Sequence, residues 1–151
     1  MFDRKATHEA THNLSRQAET WRSWLPAAAW LCVIFLFSTS YFSANATGAF
    51  IEPGLRWLLP AASAATITQL HFLIRKAAHF SEYLVLFSLL ARGPMQARPY
   101  AALAACAMFA MLDEGHQSFV PSRTASMFDV GIDFSGALFA GCVRAAILEL
   151  I

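Results

Sequence analysis

Four long apolar segments constrain the fold of this chain more than any other feature. They cover approximately residues 24–42, 75–92, 98–120 and 126–148. A membrane-spanning helix needs roughly 20 predominantly apolar residues. The chain is 57% hydrophobic and 14% charged, whereas an average soluble domain carries roughly 25% charged residues. The pattern predicts an all-α, polytopic membrane protein with four transmembrane helices and a short amphipathic, extracytoplasmic helical connector.

The segments outside the four spans have distinct compositions. Residues 1–22 are polar and predict a frayed or partly helical cytoplasmic tail, followed by a single domain over residues 23–151. Because this tail precedes the first apolar segment, we expect no cleavable signal peptide and an uncleaved first span, with Pro26 in its first turn. Residues 43–75 are long for an irregular loop, so we expect interfacial helices there, with residues 64–75 lying on the membrane surface and running into the second span.

Two patterns that suggest metal or redox chemistry are weak here. An H-E-x-x-H motif occupies residues 8–12, but a zinc site also needs a third ligand and a water-excluding wall, which a polar tail does not provide. The 3 cysteines fall in separate apolar segments without C-x-x-C spacing, so we expect buried, inert thiols.

The net charge of the chain is +1. It therefore gives no support for nucleic-acid binding, which requires a basic surface.

Ionisable side chains inside the apolar segments gather at one predicted end of the bundle. The bias of Lys and Arg toward the N-terminal tail and the loop between the second and third spans places both termini in the cytoplasm. Four alternating spans then bring the end of the first, the start of the second, the end of the third and the start of the fourth together on the extracytoplasmic side. The polar residues at these ends are Ser38, Thr39, Ser40, Arg75, Lys76, His79, Glu82, Tyr83, Asp113, Glu114, Gln117, Arg123, Asp129 and Asp133.

This set predicts a polar pocket, although two interpretations of it remain open. Ionisable groups within a membrane are costly and usually mark function. The carboxylates outnumber the Arg, Lys and His side chains at this end, and such an imbalance requires protonated carboxyls, a bound cation or a basic group on a ligand. The alternative is a buried ion-pair network that only holds the helices together. The serine and threonine cluster at residues 38–40 either caps the first helix or forms a lip of the pocket.

The same residues resemble the VanZ-like family of small bacterial integral membrane proteins. The first block, R-K-x-x-H-x-x-E-Y, matches at residues 75–83, and the second, D-E-x-x-Q-x-F-x-P-x-R, matches at residues 113–123 and continues to Asp129 and Gly136. The resemblance extends over approximately residues 24–148. Asp133 stands where the family usually has Asn, which adds a possible negative charge. The family is named for a protein that confers low-level teicoplanin resistance, so the resemblance implies an inner-membrane protein linked to the cell envelope and to glycopeptide resistance.

Three functions are compatible with these residues. In an enzyme acting on an envelope lipid, His79 and Glu82 would transfer protons, while Asp113 and Glu114 would hold a metal or a cationic group. Arg75 and Arg123 would bind phosphate or carboxylate, with the remaining ligand contacts from Lys76, Tyr83, Gln117, Asp129 and Asp133. A non-catalytic binder would capture a glycopeptide or a lipid-linked envelope intermediate with the same residues. The third function is a structural or assembly module. The sequence identifies no cofactor, no particular metal and no oligomeric state.

Overall fold

Helices form all the regular structure in the part of the chain that the structure describes. The computed structural model describes the backbone of residues 4–120, 123 and 125–150, and the side chains from residue 21 onward within those ranges. The elements are α1 (Arg4–Ser38), a 3-10 helix (Ser40–Phe42), α2 (Ala44–Leu58), α3 (Ala64–Arg92), α4 (Pro99–Gln117) and α5 (Met127–Glu149). The prediction of an all-α protein is therefore confirmed for these ranges.

Local sequence signals explain several helix ends. The Ser126 hydroxyl accepts a hydrogen bond from the backbone N–H of Phe128 at 3.2 Å and caps α5, as its position predicts. Pro99 is the first residue of α4, where a missing N–H costs little. Gly93 follows the last residue of α3, and a Cβ there would lie 2.7 Å from the carbonyl oxygen of Ser23. Close contact with α1 therefore requires glycine at this point.

The first helix differs from its prediction in two ways. It begins at Arg4, so the segment expected to be frayed or partly helical continues the first span as helix. No glycine or proline between residues 4 and 25 stops the helix. Pro26 consequently lies inside α1 and not in its first turn, where it removes one helical hydrogen bond. The H-E-x-x-H side chains lie outside the described ones.

The connector between the first two predicted spans is helical, as expected. The Ser43 hydroxyl caps α2 by accepting from the N–H of Ala46 at 3.4 Å. Residues 64–75 form no separate surface helix, because α3 runs unbroken from Ala64 to Arg92. The segment is thus an extension of the second predicted span, and only α2 stands apart as a connecting helix.

Two of the described helices are long and apolar enough to cross a membrane. These stretches are Trp21–Ser38 in α1 and Met127–Glu149 in α5. Large apolar side chains such as Phe35, Phe139 and Ile147 are exposed on the outer surfaces of these two helices. Because α3 and α4 carry ionisable residues among their apolar ones, the four-span topology stays a prediction.

α3 is the central element and packs against α1, α2, α4 and α5. Tyr83 and Phe87 from α3 are buried in a core together with Cys106 from α4 and Ala137 from α5. The small residues of α5 allow a close approach, since a Cβ on Gly136 would lie 2.0 Å from the carbonyl oxygen of Phe80. The backbones of α3 and α5 are therefore in direct contact.

The expectation that all three cysteines are buried is wrong for two of them. Cys106 is buried in the core, but Cys32 and Cys142 are exposed on α1 and α5. Both lie in apolar segments whose outward sides have no protein partner among the described residues. Apolar sequence alone does not separate a side chain facing the core from one facing outward.

Substituting Gly136 by alanine should destabilise the bundle, because the new methyl group would overlap the Phe80 carbonyl. We expect a loss of about 1–3 kcal/mol or more, as in other overpacked cores, measured by thermal unfolding in detergent. Gly131→Ala on the same helix is the matched control, since a Cβ there meets nothing within 4 Å. Equal stability of the two variants would contradict direct backbone contact between α3 and α5.

Candidate functional site

His79 and Asp133 form the most buried polar pair between α3 and α5. His79 Nδ1 lies 3.1 Å from Asp133 Oδ1, and the exposed fractions of the two residues are 8% and 0%. The second carboxylate oxygen, Asp133 Oδ2, is buried without a hydrogen-bond partner among the described residues. A carboxylate in this position fixes the orientation of the imidazole ring and sets which nitrogen faces outward.

Lys76 and Asp129 form a second pair, one turn nearer the start of both helices. Lys76 Nζ contacts Asp129 Oδ1, and the ammonium also lies 4.9 Å from the centroid of the Phe72 ring. The two pairs join α3 to α5 at successive turns. Lys76, His79, Asp129 and Asp133 are thus brought together as the topology predicts.

Glu114 joins the end of α4 to the start of α5. Its Oε1 accepts a hydrogen bond from the backbone N–H of Ser126, while its Oε2 is buried without a partner among the described residues. Within α4, Gln117 Nε2 donates a hydrogen bond to Asp113 Oδ2 at 2.8 Å. The Glu114 contact therefore holds the start of α5 beside the end of α4.

Arg123 contacts the backbone at the end of α1, which the sequence did not predict. Its Nη2 donates to the carbonyl oxygens of Phe37, Thr39 (3.2 Å) and Phe42 (3.0 Å), and its Nη1 lies 3.4 Å from Gln117 Oε1. A guanidinium group satisfies helix-end carbonyls well because it carries several donors in one plane. Burial, and then the charge of Arg75, lower the pKa of Arg123.

His71, Thr47 and His116 lie outside the set predicted from the sequence but also form hydrogen-bonding contacts around the cluster. Ser38 Oγ lies 3.1 Å from His116 Nδ1, so Ser38 contacts another helix, whereas Thr39 Oγ1 donates to the Leu36 carbonyl as a local cap. His71 Nε2 lies 3.2 Å from Thr47 Oγ1, which joins α2 to α3. His71 was missed because it continues an apolar helical stripe, and His116 because it occupies an unspecified position of the second motif, between Glu114 and Gln117.

Two adjacent cavities lie along this cluster. The larger, of about 410 Å³, is bounded by α3, α5 and the loop before α5. The smaller, of about 140 Å³, lies between the end of α1, α2 and α3. Both are lined by Arg75, His79 and Arg123. Of the predicted site residues, those that line at least one of the two cavities are Arg75, Lys76, His79, Glu82, Asp113, Gln117, Arg123 and Asp129.

The other three predicted residues lie behind these cavities. Asp133 and Glu114 are buried and line neither cavity, although each contacts a residue that does. Tyr83 is fully buried, and its hydroxyl lacks a hydrogen-bond partner among the described residues. It lines a separate cavity of about 290 Å³ together with Asp113 and His116.

Arg75 is the exception among the basic side chains at the cavities. It is half-buried at the junction of the two cavities and has neither a hydrogen bond nor an ion pair with any residue that the structure describes. The described residues also contain no group of three or more His, Cys, Asp or Glu side chains placed to hold a metal ion. Glu82, which lines the smaller cavity, likewise has no side-chain hydrogen bond or ion pair with the described residues, so the cavities hold one basic and one acidic side chain without a partner there.

A known family matches most of the chain. The VanZ/LLP1 family model matches residues 23–147 of the chain. The chain belongs to the VanZ/LLP1 family. Comparison with curated proteins and with solved structures found no match. Membership of the VanZ/LLP1 family, together with two helices that are able to span, indicates a membrane protein.

In this VanZ/LLP1 protein, Arg123→Gln should lower stability, because several carbonyl oxygens at the end of α1 would lose their donor. We expect a decrease of about 1.5–3 kcal/mol, the range for hydrogen bonds to a charged group, measured by thermal unfolding in detergent. Arg56→Gln, at an exposed position on α2, is the control. An Arg123→Gln protein as stable as the control would show that the contact with α1 contributes nothing.

Proposed function

We propose that this protein binds the anionic head group of a cell-envelope lipid, or of a glycopeptide-type ligand, in the polar cavities beside α3. The single observation that carries the proposal is Arg75, whose guanidinium group lines both cavities and has no partner among the described residues. The other basic groups nearby, Lys76 and Arg123, are already engaged with Asp129 and with backbone carbonyls. A phosphate or carboxylate is the partner that a free guanidinium group binds best, by two parallel hydrogen bonds.

The charges lining the larger cavity favour an anion over a cation, because Arg75, Lys76 and Arg123 outnumber the single carboxylate of Asp129 there. The charge of Arg75 acts on the neighbouring Arg123 and, after burial, contributes to the lowered pKa of that guanidinium. An anion between the two would remove this repulsion. In the smaller cavity Glu82 and Asp113 supply acceptors, which suit the hydroxyl or amine groups of the same ligand.

The proposed location follows from the topology. If the four spans and the cytoplasmic termini expected from the sequence hold, the cavities lie at the extracytoplasmic surface of the bacterial inner membrane. A ligand with an apolar chain would reach this depth from the bilayer, and a soluble glycopeptide from the outside. A link to glycopeptide resistance belongs to this proposal only through the family's name.

An enzymatic role is favoured by one specific observation, the His79–Asp133 pair. His79 lines both cavities, and buried Asp133 orients its ring from behind. A histidine held in this way serves as a general acid or base toward a bound head group. The structural alternative is favoured by Glu114 and Arg123, which contact backbone groups and not the cavity centre.

Replacing Arg75 by glutamine should weaken anion binding while leaving the fold intact. The probe is inorganic phosphate, titrated into the protein purified in a neutral detergent and followed by the shift of the unfolding temperature. Loss of one charge-assisted contact should weaken binding roughly 10- to 100-fold. Arg56→Gln, on α2 but outside the two cavities, should bind as the unchanged protein does. Phosphate binding that survives Arg75→Gln would remove the basis of the proposal.

Two further substitutions separate a ligand site from a purely structural network. Glu114→Ala should reduce the amount of protein in the membrane, because the half-buried Ser126 N–H would lose its acceptor at a cost of about 1–3 kcal/mol. His79→Gln retains a side chain that can donate a hydrogen bond to Asp133, so it should lower the amount of protein less than Glu114→Ala does. Quantifying both variants in membranes checks this, and an equal loss for the two would favour the structural alternative.

A further inference from the structure

A second groove lies between α3 and α5 at the opposite end of the bundle from the polar cavities. It has a volume of about 240 Å³, and its walls are mainly apolar. Phe87 and Ala91 line it from α3, and Phe139 and Val143 from α5. None of the polar residues at the other end of α3 and α5 lines this groove, so it is a separate feature of the molecule.

Two arginines stand at one end of this groove. Arg92 is the last residue of α3, is exposed, and has no hydrogen bond or ion pair with the described residues. Arg144 on α5 donates through Nη2 to the carbonyl oxygen of Gln96 at 3.1 Å, which holds its guanidinium beside the groove. No carboxylate lines the groove. The apolar walls therefore end in an uncompensated, partly fixed positive charge.

We propose that this α3–α5 groove binds one acyl chain of an anionic glycerophospholipid, with the lipid phosphate held by Arg92 and Arg144. The groove runs along α3 from Leu84 to Arg92, about 12 Å of helix at 1.5 Å per residue. Basic pockets at the cytoplasmic ends of transmembrane helices are typical sites for anionic head groups. With the orientation proposed above, Arg92 and Arg144 lie at the level of the cytoplasmic head groups.

A second copy of this chain is a poorer occupant of the groove. A two-fold symmetric contact places the same surface on both partners. The two arginines of one copy would then approach those of the other, and like charges in such a contact are unfavourable. A zwitterionic lipid fits the walls, but it brings no net negative charge to the arginines. An anionic lipid supplies both an acyl chain for the apolar walls and a net negative charge for the two arginines.

The test is a competition between two lipids on the full chain, purified in a neutral detergent. Phosphatidylglycerol and phosphatidylcholine with identical acyl chains are added in equal amounts, and bound lipid is counted by native mass spectrometry. We expect the unchanged protein to retain phosphatidylglycerol preferentially. Arg92→Gln and Arg144→Gln should each weaken that binding roughly fivefold, as expected for one basic residue near a membrane surface. Arg98→Gln, an exposed arginine outside the groove, should have no effect.

A second pair of variants tests the apolar part of the groove. Val143→Trp should fill it and reduce retention of both lipids, whereas Leu138→Trp, exposed on the same helix but outside the groove, should not. Phosphatidylglycerol retention that is unchanged in the double variant Arg92→Gln/Arg144→Gln would overturn the proposal. So would a dimer of the unchanged protein that Val143→Trp converts to a monomer, because a second copy would then occupy the groove. Phosphate binding at Arg75 is independent of either result.

Discussion

The structure depends on the cost of placing charged groups among apolar helices. A buried ion left without a partner is destabilising by several kcal/mol, so helices that carry such groups must meet where the groups find each other. His79 and Lys76 on α3 meet Asp133 and Asp129 on α5 at successive turns. These pairs set both the register and the facing sides of the two helices. The glycine at position 136 then lets the backbones touch just beyond the pairs.

The same requirement separates groups that maintain the fold from groups that remain open to a ligand. Glu114 and Arg123 form hydrogen bonds with backbone atoms at the ends of neighbouring helices. Arg75 has no such partner and faces two cavities. Buried polar atoms without partners in native proteins call for an explanation, and several of them occur here in or behind the cavities. Some residues of the cluster therefore hold neighbouring helices together, while others carry polar atoms without a hydrogen-bond partner among the described residues.

Much of this arrangement could be predicted from particular residues. Carboxylates in apolar segments marked the cluster, because they are too costly to occur there without a partner or a task. The predicted alternation of the spans placed the two motif blocks at the same end of the helical bundle. The contacts between α3, α4 and α5 do join residues of the two blocks at one end of the bundle. Ser126, Pro99 and Gly93 lie at helix ends, where their local backbone preferences favour them. The continuous helix through Pro26 was not predictable, because the sequence alone does not distinguish a proline in the first turn of a helix from one in its interior.

The sequence by itself determined that the chain is helical, where its apolar segments lie, which family it belongs to and which ionisable residues gather at one end. All of these depend on local composition, spacing or motif matches. Only the tertiary structure decided the partner of each group: that Arg123 holds the end of α1, that His71 and His116 join the cluster, and that Arg75 finds no partner in the described part of the chain. Such pairings depend on which side of each helix faces which neighbour, and carbonyl oxygens, which every residue carries, leave no mark in the sequence.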